Sequence, residues 1–260
     1  LQANLLQVLE GKVDYQPPFE LNEKHILYLD NHLMVVNKPA GLLVQPDKQG
    51  SLNLEEAARQ WLKLKFNKPG NVFATACHRL DRPVSGLVIL ARTSKALARM
   101  NAQFQSREVK KLYLSVVYGK PEQQQQFLRH WIKKNETPNT VRVYTYPRGD
   151  ARQADLCYRM AQQSGEKSML IVRLFTGRHH QIRAQLGFSG LPIAGDAKYG
   201  RRNEVDESVC LCSWGISFRH PVSGKPIELF GDIPQTGSWS GFFLPDSTQV
   251  ADMLSILPPS

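Results

Sequence analysis

The residues best suited to chemistry fall in three short segments. The first runs His78-Arg79-Leu80-Asp81-Arg82-Pro83-Val84-Ser85-Gly86. Two arginines bracket one aspartate there, and Pro83 and Gly86 constrain the backbone. Opposite charge within a few ångströms favours the ionised form of a carboxylate. An ionised aspartate on a rigid loop suits a nucleophile or an electrostatic stabiliser better than a general acid. The competing reading is an Arg–Asp pair that merely ties a turn. The second segment is Leu174-Phe175-Thr176-Gly177-Arg178-His179-His180-Gln181-Ile182-Arg183. Arg178 and Arg183 stand five apart across a helix start, so one can reach a phosphate while the other turns inward to a carboxylate. His179 and His180 raise the question of a metal. Adjacent side chains on a helix diverge by about 100°, and the H-E-x-x-H spacing of a helical zinc site is absent, so no metal is expected. The third segment is Lys110-Lys111-Leu112-Tyr113-Leu114. A tyrosine on such a strand can stack on a ring and lend its phenol as proton acceptor or donor, or simply pack in the core. Two glycine-bearing loops complete the set, Asn37-Lys38-Pro39-Ala40-Gly41 and Gly195-Asp196-Ala197-Lys198-Tyr199-Gly200. Glycines let backbone approach a ligand closely, and they also make ordinary turns.

The elements that must position these residues can be read from periodicity. Residues 26–29 and 33–37 are two strands joined at Asp30-Asn31. Residues 52–66 carry apolar side chains at helical spacing, and Ser94 caps a helix reaching about Ser106. Residues 73–77 and 86–91 are strands flanking the Asp81 loop, and 111–118 is a strand rich in β-branched and aromatic residues. The polar stretch 121–150, with glutamines at 123–126, is expected as a solvent-facing hairpin region. Residues 154–162 and 168–175 pair across Ser164-Gly165-Glu166, and 179–187 fit a short helix. Residues 210–218 and 225–230 close the set, with a helix in the last dozen residues. Strands in hairpin succession with few helices indicate an α+β fold.

Composition narrows the class. Lys and Arg number 33 against 23 Asp and Glu, a formal charge of +10. Such a surplus suits a polyanionic partner, because neutralising phosphates releases condensed counterions. No apolar run approaches the roughly 18 residues of a membrane span, and residues 1–10 lack the pattern of a signal peptide. A cytoplasmic protein is expected. Cys77, Cys157, Cys210 and Cys212 lack the second ligand pair of a zinc site and are read as reduced thiols, three or four of them in strands.

HRLDRPVSGL resembles the catalytic motif of the RluA-type pseudouridine synthases, H-R-L-D-x-x-T-S-G-L. Residues 33–46 (LMVVNKPAGLLVQP) resemble the first motif of that family, 111–119 its tyrosine strand and LFTGRHHQIR its arginine motif. GDAKYG and Phe218-Arg219-His220-Pro221 are similar to its later blocks. The matches run in the family's order over about residues 26–230. Two positions depart from the pattern: Val84 replaces the usual Thr, and Cys212 stands where many members have His.

The resemblance implies a pseudouridine synthase fold, a mixed and mainly antiparallel sheet in two subdomains about a central basic cleft. It divides the chain into an N-terminal arm (1–25), a catalytic domain (26–245) and a C-terminal tail (246–260), with no S4-type RNA-binding domain in the arm. It implies isomerisation of uridine to pseudouridine in ribosomal or transfer RNA by a monomer needing no cofactor. Asp81 is then the catalytic carboxylate, Arg183 its ionic partner and Tyr113 the residue against the uracil. Arg79 fills the space left by a flipped base. Lys38, His78, Arg82, Lys111 and Arg178 are the further candidates for RNA contact, and Arg92, Lys95, Arg107 and Lys110 supply nearby positive charge. Two other classes can be weighed. A protein kinase would need a glycine-rich phosphate loop, a strand lysine and D-F-G, all missing. A noncatalytic RNA-binding protein or RNA chaperone on the same fold would tolerate loss of Asp81, Tyr113 or Arg183, and all three are present.

Overall fold

The structure is a computed structural model that describes residues 19–136, 139–200 and 208–258. Most of the arm read over 1–25, with its Pro17-Pro18 pair, lies outside the described residues, as do Pro138 and the last two residues of the tail. Eleven strands form one sheet: β1 (Ile26–Leu29), β2 (Leu33–Lys38), β3 (Thr75–Ala76), β4 (Ser85–Ala91), β5 (Lys110–Tyr118), β6 (Gln125–Lys134), β7 (Val141–Tyr144), β8 (Arg152–Ser164), β9 (Lys167–Leu174), β10 (Leu211–Arg219) and β11 (Pro226–Phe230). The helices are α1 (Leu54–Lys65), α2 (Ser94–Gln105), α3 (Gln181–Phe188) and α4 (Ser247–Ser255). Strand order is β1-β2-β4-β10-β5-β9-β8-β6-β7, with β3 also on β4 and β11 also on β10.

The sheet is antiparallel except at one seam. There β4 and β10 run parallel and share only the pairs Cys212–Ser85 and Ser213–Gly86. Within each half the neighbours pair antiparallel, with successive strands joined as β1–β2, β6–β7, β8–β9 and β10–β11, in keeping with the α+β reading. Gly86 explains itself at the seam. Its φ is 112°, and a Cβ there would collide with the Ser213 backbone, so no other residue lets the two halves meet.

Alternation along β2 and β4 divides the core between two faces. Leu33, Val35, Leu87 and Ile89 pack under α2 with Ala96 and Met100. Met34, Val36, Val88 and Leu90 face the larger core, with Leu54, Ala58 and Leu62 of α1 and Ile182 and Leu186 of α3. Both faces of these strands are buried, which is why the sequence reads as continuous apolar runs rather than as alternation.

Several local expectations need correction. Thr93, not Ser94, caps α2, accepting from the Ala96 N–H at 3.1 Å. The strand read over 73–77 is two residues long. The 121–150 region is a hairpin, β6 and β7, but one face is buried through Leu128, His130, Ile132 and Val141. The run of glutamines enters β6 at Gln125. The terminal helix begins at Ser247, with Asp246 accepting from Gln249 in a capping box. All four cysteines are free thiols, but only Cys157 and Cys212 lie in strands.

Candidate active site

Asp81 sits in the loop between β3 and β4, its side chain 22% exposed. The loop is fixed from behind. Val84 N–H donates to the Asp81 carbonyl at 3.0 Å and Gly41 N–H to the Arg82 carbonyl at 2.8 Å. Arg82 Nε returns a bond to the Gly41 carbonyl at 2.9 Å. Lys38, at the end of β2, is wholly buried. Its Nζ donates to the carbonyls of Pro39 and Leu42, both at 2.8 Å, and of Arg82 at 3.3 Å. Three acceptors match the three donors of an ammonium group, so Lys38 staples loop 38–42 to the Asp81 loop. Burial pulls its pKa down to about 7, against the pull of Asp81 and Cys212.

The cation on Asp81 comes from elsewhere than the motif suggests. Arg79 is exposed and Arg82 is spent on Gly41. Arg183, one turn into α3, donates to Asp81 Oδ2 at 3.2 Å. The other edge of the same guanidinium is held by Asp196, Nε to Oδ2 and Nη2 to Oδ1, both at 2.7 Å. Asp196 is fully buried and also accepts from the Lys198 and Tyr199 N–H groups at 3.0 and 3.2 Å. Burial works against the Arg183 charge, but the Asp196 hydrogen bonds and the two carboxylates outweigh it and raise its pKa.

The turn before α3 aims the rest. Gln181 accepts from Thr176 Oγ1 at 2.8 Å and from the Arg178 N–H at 2.9 Å. His180 takes the left-handed conformation, φ 53°. Its Nδ1 meets the Tyr199 hydroxyl at 2.8 Å and its Nε2 lies 3.6 Å from Asp81 Oδ2. Burial, ahead of its charged neighbours, lowers His180 to about 4, so the ring is neutral at pH 7. His179 and His180 are not on the helix and do not diverge. Their rings stack at 3.8 Å with 24° between planes. With Asp81 they form a trio, among the described residues, whose ligand atoms lie within 4.8 Å of one another. Stacked rings send their lone pairs side by side rather than to one point, and His179 Nε2 and His180 Nδ1 already face Asn139 and Tyr199. That arrangement suits hydrogen bonding at Asp81 better than a tetrahedral ion.

Tyr113 lies on β5 opposite Ser213 of β10 and Val172 of β9. It is 5% exposed, and burial raises its phenol pKa despite a hydrogen bond with Ser213. His78 is pinned differently from expectation. Its Nε2 accepts from the Ile89 N–H at 3.1 Å and its ring packs on Phe104 at 5.0 Å. Burial lowers it to about 3, so the His78 ring is neutral at pH 7, and the Lys38 ammonium is directed at three backbone carbonyls. Lys111 lies 5.7 Å over Phe104 and is lowered by burial to about 8. Arg178 is half-buried, its Nε on the Gln153 carbonyl at 2.9 Å. A groove of about 730 Å³ lies near these residues. It opens alongside, between the α2–β5 turn, the start of the 174–180 loop and the end of β10.

Comparison with known proteins supplies the family. The family model for RNA pseudouridylate synthase matches residues 32–187, from the start of β2 to the end of α3. The chain belongs to the RNA pseudouridylate synthase family. Within it, the ribosomal large subunit pseudouridine synthase C of Vibrio cholerae is 32% identical over 218 residues, 81% of this chain and 66% of that protein. The ribosomal large subunit pseudouridine synthase D of Zymomonas mobilis is 30% identical over 81% of this chain and 69% of its own length. The chain thus spans about two thirds of the length of these curated relatives. The solved human RNA pseudouridylate synthase domain containing 1 shares the fold, with TM-score 0.71 at 20% identity, over 93% of this chain and 100% of that one. Of the two departures from the family pattern, Val84 is buried under the Asp81 loop. Cys212 is buried near Lys38, and burial pushes its thiol up to about 11.

Proposed function

We propose that this chain is an RNA pseudouridine synthase in which Asp81 is the catalytic carboxylate. The observation that carries the reading is the chain Asp81–Arg183–Asp196. A part-exposed carboxylate faces solvent while its arginine is locked from behind by a second, fully buried carboxylate. Breaking the C1′–N1 bond of uridine builds positive charge at C1′, which a fixed carboxylate stabilises or attacks. Asp81 either adds to C1′ and is displaced when C5 bonds there, or takes the 2′ proton and returns it at that step; the uracil turns in between, and N1 takes up a proton. The C5 proton then leaves. Nothing is oxidised and no group is acquired, so the reaction balances without metal or cofactor. Tyr113 packs against the uracil. Its raised pKa argues against a standing phenolate, so we assign its hydroxyl to passing on the C5 proton. Arg79, exposed two residues before Asp81, fills the space of the flipped base.

The names of the relatives make large-subunit ribosomal RNA the first substrate to try, with transfer RNA beside it. No helix among the described residues is long and apolar enough to cross a membrane. On this reading the protein works in the cytoplasm as a monomer, its catalytic domain covering residues 26–245. The test is tritium release from RNA labelled at C5 of uridine, drawn from cells lacking the protein. Release by wild type and none by Asp81→Ala supports the reading. Binding of RNA with no release by wild type favours a noncatalytic RNA-binding protein.

A further inference from the structure

Asp81 is held at one oxygen only. Arg183 Nη1 donates to Oδ2 at 3.2 Å, and His180 Nε2 stands 3.6 Å from the same atom. Among the described residues no group bonds Oδ1. The two groups on Oδ2 are braced by one side chain. The Tyr199 hydroxyl meets His180 Nδ1 at 2.8 Å, and the Arg183 guanidinium lies over the Tyr199 ring, 5.4 Å from its centre. Tyr199 is itself fixed at both ends. Its backbone N–H donates to Asp196 Oδ1 at 3.2 Å, and its hydroxyl accepts from the Val141 N–H at 2.8 Å. His179 covers one face of the His180 ring, stacked at 3.8 Å, with its own Nε2 at 2.9 Å from Asn139 Oδ1. The imidazole beside Asp81 is therefore set in position and in plane.

The same contacts settle which ring nitrogen carries the proton. A tyrosine hydroxyl has one proton to give. Tyr199 already accepts from Val141, and burial raises its pKa, so at pH 7 it is a protonated phenol whose proton goes to Nδ1. His180 is neutral at that pH. Burial lowers it, the Asp81 charge pulls the other way, and Arg183, His179 and Lys198 add to the lowering. A neutral imidazole carries one proton, and an accepting Nδ1 puts it on Nε2. The N–H then stands on the side of Asp81, where the other tautomer would set a lone pair against the carboxylate. A separation of 3.6 Å is longer than a hydrogen bond, and contacts of this kind commonly close only when the substrate is in place. His180 also holds the left-handed backbone conformation, φ 53°, a strain that gathers where a side chain must be aimed.

We propose that His180 is a positioning residue for Asp81: held by Tyr199 with its proton on Nε2, it joins Arg183 in fixing Oδ2 and leaves Oδ1 as the oxygen offered to the ribose. The inference rests on the proposed function. His180 gives up no proton in the reaction. It stops the carboxylate turning, so that Oδ1 meets C1′ or the 2′ proton in one orientation. The first readout is the tautomer and needs no turnover. Label the histidines of the full chain with nitrogen-15 and record side-chain proton–nitrogen correlations at pH 7. His180 is assigned by the signals lost in His180→Asn, a replacement that accepts the left-handed backbone. The proton should sit on Nε2 in wild type, and Tyr199→Phe should lose that preference. A proton on Nδ1, a proton on each nitrogen, or a tautomer indifferent to Tyr199→Phe overturns the inference. The second readout is tritium release. His180→Leu should lower kcat roughly 10- to 100-fold, the scale of a misplaced reacting group, with KM within about twofold of wild type. His180→Gln keeps an N–H on the side chain and should recover much of the loss. Equal losses in the Leu and Gln variants, or a fall in kcat that only follows a fall in urea midpoint, would make His180 a structural residue and overturn the inference. Wild type with the proton on Nε2 that releases no tritium refutes the proposed function and supports the arrangement around Asp81. Wild type that releases tritium with the proton on Nδ1 refutes the inference alone.

Discussion

Asp81 depends on residues that the motif around it does not contain. Its neighbours Arg79 and Arg82 leave it unpaired, and the supporting cation arrives from α3 with Asp196 behind it. The spacing of Arg178 and Arg183 indicated that one of the two turns inward to a carboxylate, and the family resemblance chose Arg183. It passed over Asp196, taking the GDAKYG segment for a glycine loop. One signal was available there, a lone acid in a short turn between two glycines, two residues before Lys198. Removing one member of a buried pair costs about 3–5 kcal/mol, so Asp196→Asn should lower urea stability by up to that much and cut kcat as Arg183 loses its anchor. Asp81→Asn should instead abolish tritium release while leaving the urea midpoint and RNA affinity close to wild type. Tyr113→Phe should keep RNA binding and slow release of the C5 tritium more than cleavage of the glycosidic bond, read by quenching and digesting the RNA over time.

Among the elements, the β6–β7 hairpin is tied to the site by contacts no single-strand pattern reveals. Tyr199 accepts from the Val141 N–H at 2.8 Å while meeting His180, and Lys198 reaches the Asn139 carbonyl at 3.1 Å. Unpairing a buried donor costs about 1–3 kcal/mol. Tyr199→Phe should therefore destabilise the protein by that amount and lower kcat with a smaller change in KM, since His180 loses its brace beside Asp81. The strands themselves were legible wherever β-branched and apolar residues ran together, as in β4 and β5. Pairing across the seam was not, because β4 and β10 lie over a hundred residues apart and share only two residue pairs. Gly86 was visible as a backbone residue, and its partner was not. Gly86→Ala should exceed the about 1–3 kcal/mol of backbone strain alone, because the added methyl meets the Ser213 backbone; urea unfolding or loss of soluble protein would register it.

For the whole molecule, the net charge of +10 describes the surface and conceals what lies under it. Buried histidines are held neutral: His78 falls to about 3, and His130 is also lowered, both by burial. In the unfolded chain each takes a proton near pH 6.5, while the folded His78 does not until about 3. The unfolded state then binds the extra proton between those values, so stability rises with pH across that window and is lost on acidification from about 6.5 downward. His78 alone contributes a slope of up to about 1.4 kcal/mol per pH unit. His78→Asn should flatten the fall in urea midpoint between pH 6.5 and 5, even though it starts less stable. A second contrast of charge sits at the site itself. Arg183 is shared by two carboxylates, Asp81 and Asp196, so around that one guanidinium negative charge exceeds positive. Such a layout sorts the two ends of a nucleotide. On the proposed function a phosphodiester is repelled from the carboxylate of Asp81, while an uncharged base meets no such barrier.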